Sequence, residues 1–317
     1  MDILRKEFKH FATSHNILGL TLPTLKAVQQ KKHCYTIDRA RQFLKFQNRI
    51  NEELLKHKVI TDNPFTKWFE KGEASYEQVK AFLVQFSVFS NLFLIAQLKK
   101  MINATTLEGM RESKEILANE IGVIFNARLP RSAESKGEVE LAMTDKTQND
   151  EVDPQLVSTH GTVEGGKFRF AAAHFEWLYN IAQKFGLSFH EIGKRRHGTK
   201  ETLHFCDELA RLYGSEDYAT CMAASYAVEN WAAAGFWKEL IGGLQQFRVK
   251  SKMDFPISFF TWHDRIEDQH AAHTQEELEE YYFENEIDED QFLKYGNEMM
   301  DGIYVFWKGL TVIARVT

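Results

Sequence analysis

The chain reads as an all-α protein, and three observations predict it. Apolar residues recur at three- and four-residue steps along most of its length, and capping signatures precede those runs. Its 317 residues include only five prolines and eighteen glycines. No stretch shows the two-residue alternation or turn chemistry of hairpins, and no internal repeat is visible. With 44% hydrophobic and 26% charged residues, the composition is that of an ordinary soluble domain with a sizeable core. A net charge of −6 argues against nucleic acid as a partner, because no excess of cations exists to displace its counterions.

Taken in order, residues 1–37 mix short apolar clusters with basic residues around Pro23, and are expected as an N-terminal extension outside a helical domain spanning 38–317. From Asp38 the pattern is helical through Phe43, Phe46, Ile50 and Leu54. Asn63-Pro64 breaks the chain, and Ser75 with Gln78 forms a capping box before the next helix. Its segment 81–98, AFLVQFSVFSNLFLIAQL, is the most lipid-like in the chain. Gln85, Ser87, Ser90, Asn91 and Gln97 interrupt it, so a buried core helix is expected and no membrane span. Thr105 and Glu108 repeat the capping signature before a helix that ends near Glu120.

Residues 128–165 differ from everything around them: rich in Glu, Asp, Lys, Ser, Thr and Gly, and without periodicity, they are expected as an inserted loop or flap. Helical pattern resumes from Lys167 and closes at Gly186, and Ser188 with Glu191 signals a further short helix. Thr199 to Tyr213 forms another, and Ser215 caps a long helix reaching about Gly242. Pro256 starts the next, Thr274 and Glu277 cap a separate acidic helix, and a last one covers about Asp290 to Ile313. The N-terminus, MDILRKEFKHF, lacks the apolar region of a secretory signal, and three cysteines far apart suggest a reducing compartment, so a cytoplasmic location is expected.

The stretch FFTWHDRIEDQHAAH, residues 259–273, carries the chemistry. His263, Glu267 and His270 stand at i, i+4 and i+7, so the latter two fall roughly 40° and −20° from His263 around a helix. Two imidazoles and a carboxylate on one narrow strip are how all-α proteins present metal ligands, with partners on other helices. Those partners are sought among polar residues on apolar faces. His174 follows three alanines and precedes Phe175 and Trp177; Glu229 lies among Ala227, Val228, Trp231 and Ala232; Glu120 lies between Leu117 and Ile121. A buried carboxylate needs a partner, which a metal would supply. A satisfied core histidine and partly exposed helix carboxylates are the plainer alternatives.

These residues carry a resemblance. The chain resembles the haem-oxygenase-like di-iron oxidases, which share a helical fold with thiaminase II and the pyrroloquinoline quinone synthase, and is similar to the chlamydial CADD-like proteins. The motif FF-x-x-H-x-x-x-[D/E]-x-x-H appears as Phe259, Phe260, His263, Glu267 and His270. His174 opens a helix ahead of Gly186-Leu187, and Asn119, Glu120, Ile121 and Gly122 match the family's N-E-x-G turn. The resemblance implies a haem-oxygenase-like bundle with Glu120, His174, Glu229, His263, Glu267 and His270 as metal ligands. It implies two Fe(II) ions per chain, with Mn possible, and O₂ as co-substrate. The substrate would be a small amino-acid- or fatty-acid-like molecule. In relatives the first glutamate and its histidine are close in sequence, whereas here the insertion separates them, so Glu164 stands as substitute for Glu120. Glu267 takes the place of an aspartate common in relatives. A homodimer is left open.

Rival readings differ in which residues they use. A ferritin-like di-iron protein would pair Glu201/His204 with Glu267/His270, leaving His263 and His174 without roles. A metal-free hydrolase would need Cys206 or Cys221 as nucleophile. A non-enzymatic interaction protein would use the acidic stretches 134–153 and 276–290. The cluster Lys194, Arg195, Arg196 and His197 reads either as a receptor for a substrate carboxylate or as a solvated loop.

Overall fold

The computed structural model describes residues 2–122, 157–158 and 170–316. Thirteen α-helices account for most of them. The first seven are α1 (Asp2–His15), α2 (Leu22–Gln29), α3 (Ile37–Glu53), α4 (Lys58–Thr61), α5 (Pro64–Glu70), α6 (Tyr76–Ile102) and α7 (Leu107–Glu120). Then follow α8 (His174–Lys184), α9 (Lys200–Glu208), α10 (Tyr218–Ala232), α11 (Phe236–Ser251), α12 (Ser258–Glu284) and α13 (Glu289–Val316). Two-residue segments, Val157–Ser158 and Phe170–Ala171, pair antiparallel just ahead of α8, a small departure from the purely helical expectation. Apart from Val157 and Ser158, the expected insertion 128–165, Glu164 included, lies outside the described residues.

Helix starts follow local chemistry. Thr36 caps α3 by accepting from Arg39 N at 3.1 Å, and Asn63 caps α5 with Pro64 behind it. The box before α6 forms as read: Gln78 N donates to Ser75 Oγ (3.2 Å) and Ser75 N to Gln78 Oε1 (2.7 Å). At α7 the cap sits one residue later than expected, with Gly109 N donating to Thr106 Oγ1.

Several boundaries differ from the sequence reading: α8 starts at His174 and not near Lys167, α12 at Ser258 and not at Pro256, and α10 is capped by Asp217, which accepts from Thr220 N, and not by Ser215. Ser188 and Glu191 make their capping bonds, yet no α-helix follows; the chain forms only a 3₁₀ turn at Arg195–His197. The long helix expected from Ser215 splits at Gly235, whose φ of +96° ends α10 and lets Phe236 stack on Trp231 across the break. The reverse holds for α12, which runs unbroken through the expected cap at Thr274. No Gly or Pro interrupts the chain there, and the Thr274 hydroxyl donates to Ala271 O within the helix.

Aromatic residues fill the centre. Phe86 on α6 meets Phe82, Trp237, Phe259, Phe260 and Phe306, so four helices share one ring cluster. α6 is long and apolar enough to cross a membrane by length and composition, but half of its most apolar window is buried inside the bundle. α10 packs on α13 and α12, α7 on α6, and α8 against α6, α7 and α12. The N-terminal helices are tied down by a carboxylate: fully buried Glu279 on α12 accepts from Thr21 N and Thr21 Oγ1. These contacts bring the end of α7 and the starts of α8 and α12 together.

Candidate metal centre

Each of those three ends delivers one side chain. Glu120 is the last residue of α7, followed by a turn in which Gly122 takes φ +78°. His174 is the first residue of α8, fixed by a cap in which Ala173 N donates to the Glu176 carboxylate at 2.9 Å. His263 lies in the second turn of α12, behind Phe259 and Phe260 in the core. Ligand atoms of Glu120, His174 and His263 all lie within 4.8 Å of one another, so this buried group could hold a metal ion.

The hydrogen bonds orient the group. His263 Nδ1–H donates to Phe259 O, one turn back, at 2.6 Å. That bond turns Nε2 inward, 3.8 Å from Glu120 Oε1. His174 Nδ1 lies 3.1 Å from Glu120 Oε2, yet among the described residues this buried atom makes no hydrogen bond. The contact is close, but its direction is wrong for N–H···O. Burial alone would raise the Glu120 carboxyl; the two imidazoles outweigh it and hold the group far below the usual carboxylate range. Glu120 is therefore an anion facing two nitrogens. Two inward-facing imidazole nitrogens and a carboxylate, drawn from three helices, make a donor set that fits a metal ion.

Glu229 is buried on α10. It is outside the group that converges within 4.8 Å. The Tyr213 hydroxyl donates to Glu229 Oε1 at 3.4 Å and accepts from Gln97 Nε2 at 2.8 Å. Tyr213 ends a π-helical turn, Leu209–Tyr213, that widens the chain after α9. Close by, the buried Lys100 ammonium donates to Ser225 Oγ (2.8 Å) and lies 3.6 Å from Glu277 Oε2. Burial would lower this lysine's pKa, but the Glu277 and Glu229 carboxylates among its neighbours more than reverse that, so it stays charged. The sequence reading missed Lys100 and Tyr213; a lysine one turn beyond buried Ala96 and Gln97 was the available signal. The backbones of Glu267 and His270 belong to α12, and their side chains lie outside the described residues.

His204 is exposed and makes no part of the converging group. Cys206 and Cys221 are buried, and burial pushes their thiols up to about 12 and about 11, the opposite of an activated nucleophile. In the basic loop, Arg195 forms a two-pronged pair with Asp207 at the surface. A cavity of about 220 Å³ opens farther along α12, lined by Tyr218, Glu276, Glu277 and Glu280. Its acidic walls do not suit a carboxylate ligand.

Fold and site together define an all-α helical bundle that carries a Glu/His/His group able to hold a metal ion. Among solved structures, it superposes on the crystal structure of a CADD-like protein of unknown function from Nostoc punctiforme. The TM-score is 0.53 at 16% identity, covering 88% of this chain and 99% of that one. At that identity the likeness is one of fold. No protein-family model matches the chain, and no curated protein does.

Proposed function

We propose that the chain is an O₂-dependent oxidase with iron as its metal, manganese being the alternative, acting on a small amino-acid- or fatty-acid-like substrate. The observation that supports it most is the convergence of Glu120, His174 and His263 within 4.8 Å in the interior. A mixed nitrogen and carboxylate set suits iron or manganese better than a thiolate zinc site or an all-oxygen magnesium site. Bound iron would supply the one-electron chemistry toward O₂ that no amino-acid side chain provides.

The protein's own part is to hold and shield. Glu120 offsets metal charge with a carboxylate that stays ionised. The Phe259 carbonyl fixes the His263 ring so that its Nε2 faces inward. Trp237 stacks on that ring at 4.9 Å, and Trp177 lies 4.7 Å from the ring of His174, which walls the group against water. Glu229, Glu267 and His270 complete a second ion's set in this reading, on the strength of the sequence resemblance.

Anaerobic Fe(II) loading followed by metal analysis tests it. The expected result is about two iron atoms per chain, as in di-iron carboxylate bundles. His174→Ala and His263→Ala should lose iron while His204→Ala keeps it. Iron content unchanged in His174→Ala, or no iron retained by the unaltered chain, would overturn the proposal.

A further inference from the structure

Two groups of tryptophans touch the candidate metal centre, and they lead in opposite directions. On one side, Trp237 stacks on His263, Phe236 lies 4.5 Å from Trp237, and Trp231 stacks on Phe236 at 4.6 Å. These rings are all buried, and the series ends in the core. On the other side, the Trp177 ring lies 4.7 Å from His174 and 5.8 Å from Trp262, and Trp262 is itself 6.3 Å from His174. Trp262 is 36% exposed. This second path links the centre to solvent in two indole steps.

Indole gives up an electron more readily than benzene or an aliphatic chain, and tunnelling falls steeply with the gap, so indoles in contact can relay charge. Proton supply favours the outward direction. Trp177 Nε1 is buried and without a hydrogen bond among the described residues, so an oxidised Trp177 has no acceptor there for its N–H proton. At Trp262 bulk water can take it. A hole that reaches Trp262 is therefore trapped at the surface.

Resting on the oxidase reading above, we propose that Trp177 and Trp262 form an electron relay that discharges the metal centre when O₂ is activated without substrate. Trp177 loses one electron to the oxidised centre and regains one from Trp262. Trp262 then regains one from a water-soluble one-electron reductant of the ascorbate class, which is oxidised. One electron enters the centre for each one the reductant loses. The indole proton released at Trp262 returns from water when that ring is reduced. The relay would spare His174 and His263 from oxidation.

The test is Fe(II)-loaded protein exposed to O₂ without substrate, followed by iron analysis and peptide mass mapping of hydroxylated and ring-opened tryptophan. Oxidation should concentrate on Trp262, fall severalfold at Trp262 in Trp177→Phe, and be suppressed by ascorbate. It should be absent in His174→Ala, which separates it from damage by free iron. Half-buried Trp68 on α5 is the internal control and should stay unmodified. The relay is overturned if iron is bound and oxidised while Trp262 is no more modified than Trp68. It is also overturned if Trp177→Phe leaves the Trp262 yield intact in protein of normal iron content. Protein that retains no iron at all sinks the oxidase reading first and the relay with it, and the iron analysis tells these failures apart.

Discussion

A histidine serves as a dependable ligand when one ring nitrogen is already committed, and His263 meets that condition through the Phe259 carbonyl one turn behind it. Glu120 supplies the complementary charge, so its neutral analogue is the cleanest probe of the site. In Glu120→Gln the shape stays and the anion goes. Metal affinity should fall by more than the roughly 10–100-fold that loss of an outer partner costs. A competition titration with Fe(II) or Co(II) measures this, and equal affinity in the two proteins would remove Glu120 from the ligand set. The cysteines give an independent reading of the interior at the same scale. Cys34 is exposed, whereas Cys206 and Cys221 are buried with raised thiols. Iodoacetamide on the native protein should label Cys34 alone, and all three only after unfolding. Fast native labelling of Cys206 would mean that α9 opens.

Among the elements, α11 shows two distinct uses of glycine. At Gly243 a Cβ would lie 2.3 Å from Phe69 O and 2.6 Å from Phe69 Cδ1, so α11 and α5 touch backbone to backbone. At Gly235 a Cβ would meet nothing within 4 Å, but φ is +96°. Gly243→Ala should therefore cost about 1–3 kcal/mol or more, because the helices must separate. Gly235→Ala should cost about 1 kcal/mol, from backbone strain alone. Urea denaturation ranks the two, and a larger loss at Gly235 would contradict the packing argument. This contrast also shows what was legible in the sequence. Apolar spacing and side-chain caps predicted α3, α6 and α9, because a cap acts within four residues of its donor, whereas Asn63-Pro64 was read only as a chain break and in fact starts α5. Gly235 was missed as a break because it follows three alanines, which favour helix, and its left-handed turn is set by the Trp231–Phe236 stack. Thr274 and Glu277 were over-read, because the same residue types serve mid-helix when no chain break precedes them. His174, His263 and Glu120 were legible as polar residues on apolar faces. Lys100 was not, because its charge is balanced by Glu277, 177 positions away in sequence but 3.6 Å away in space.

For the molecule as a whole, stability should respond to alkali with a sign set by its buried acids. Burial favours the neutral form of a thiol, which pushes Cys206 to about 12 and Cys221 to about 11. Tyr282, whose pKa goes to about 12, acts in the same sense through burial and the neighbouring Glu289 carboxylate. In the unfolded chain these thiols ionise near 9, so above that pH the unfolded state has released protons that the folded state still holds. The contribution is fully present below pH 9 and is lost as pH climbs toward 11 and 12. One unit above the unfolded value removes about 1 kcal/mol per thiol. The urea midpoint at about pH 10 should therefore lie below that at about pH 8, a span that crosses the ordinary thiol range. Replacing both Cys206 and Cys221 by Ala lowers stability at each pH through lost packing, but should narrow the gap between the two. An unchanged gap would shift the effect to the buried tyrosines, and a midpoint that rises with pH would contradict the burial of all these groups. The direction matters because the Glu120 group is anionic across the same range. Loss of fold in alkali would thus come from these thiols and phenols and not from the Glu120 group, so a metal ion held at the proposed centre should stay bound until the bundle itself opens.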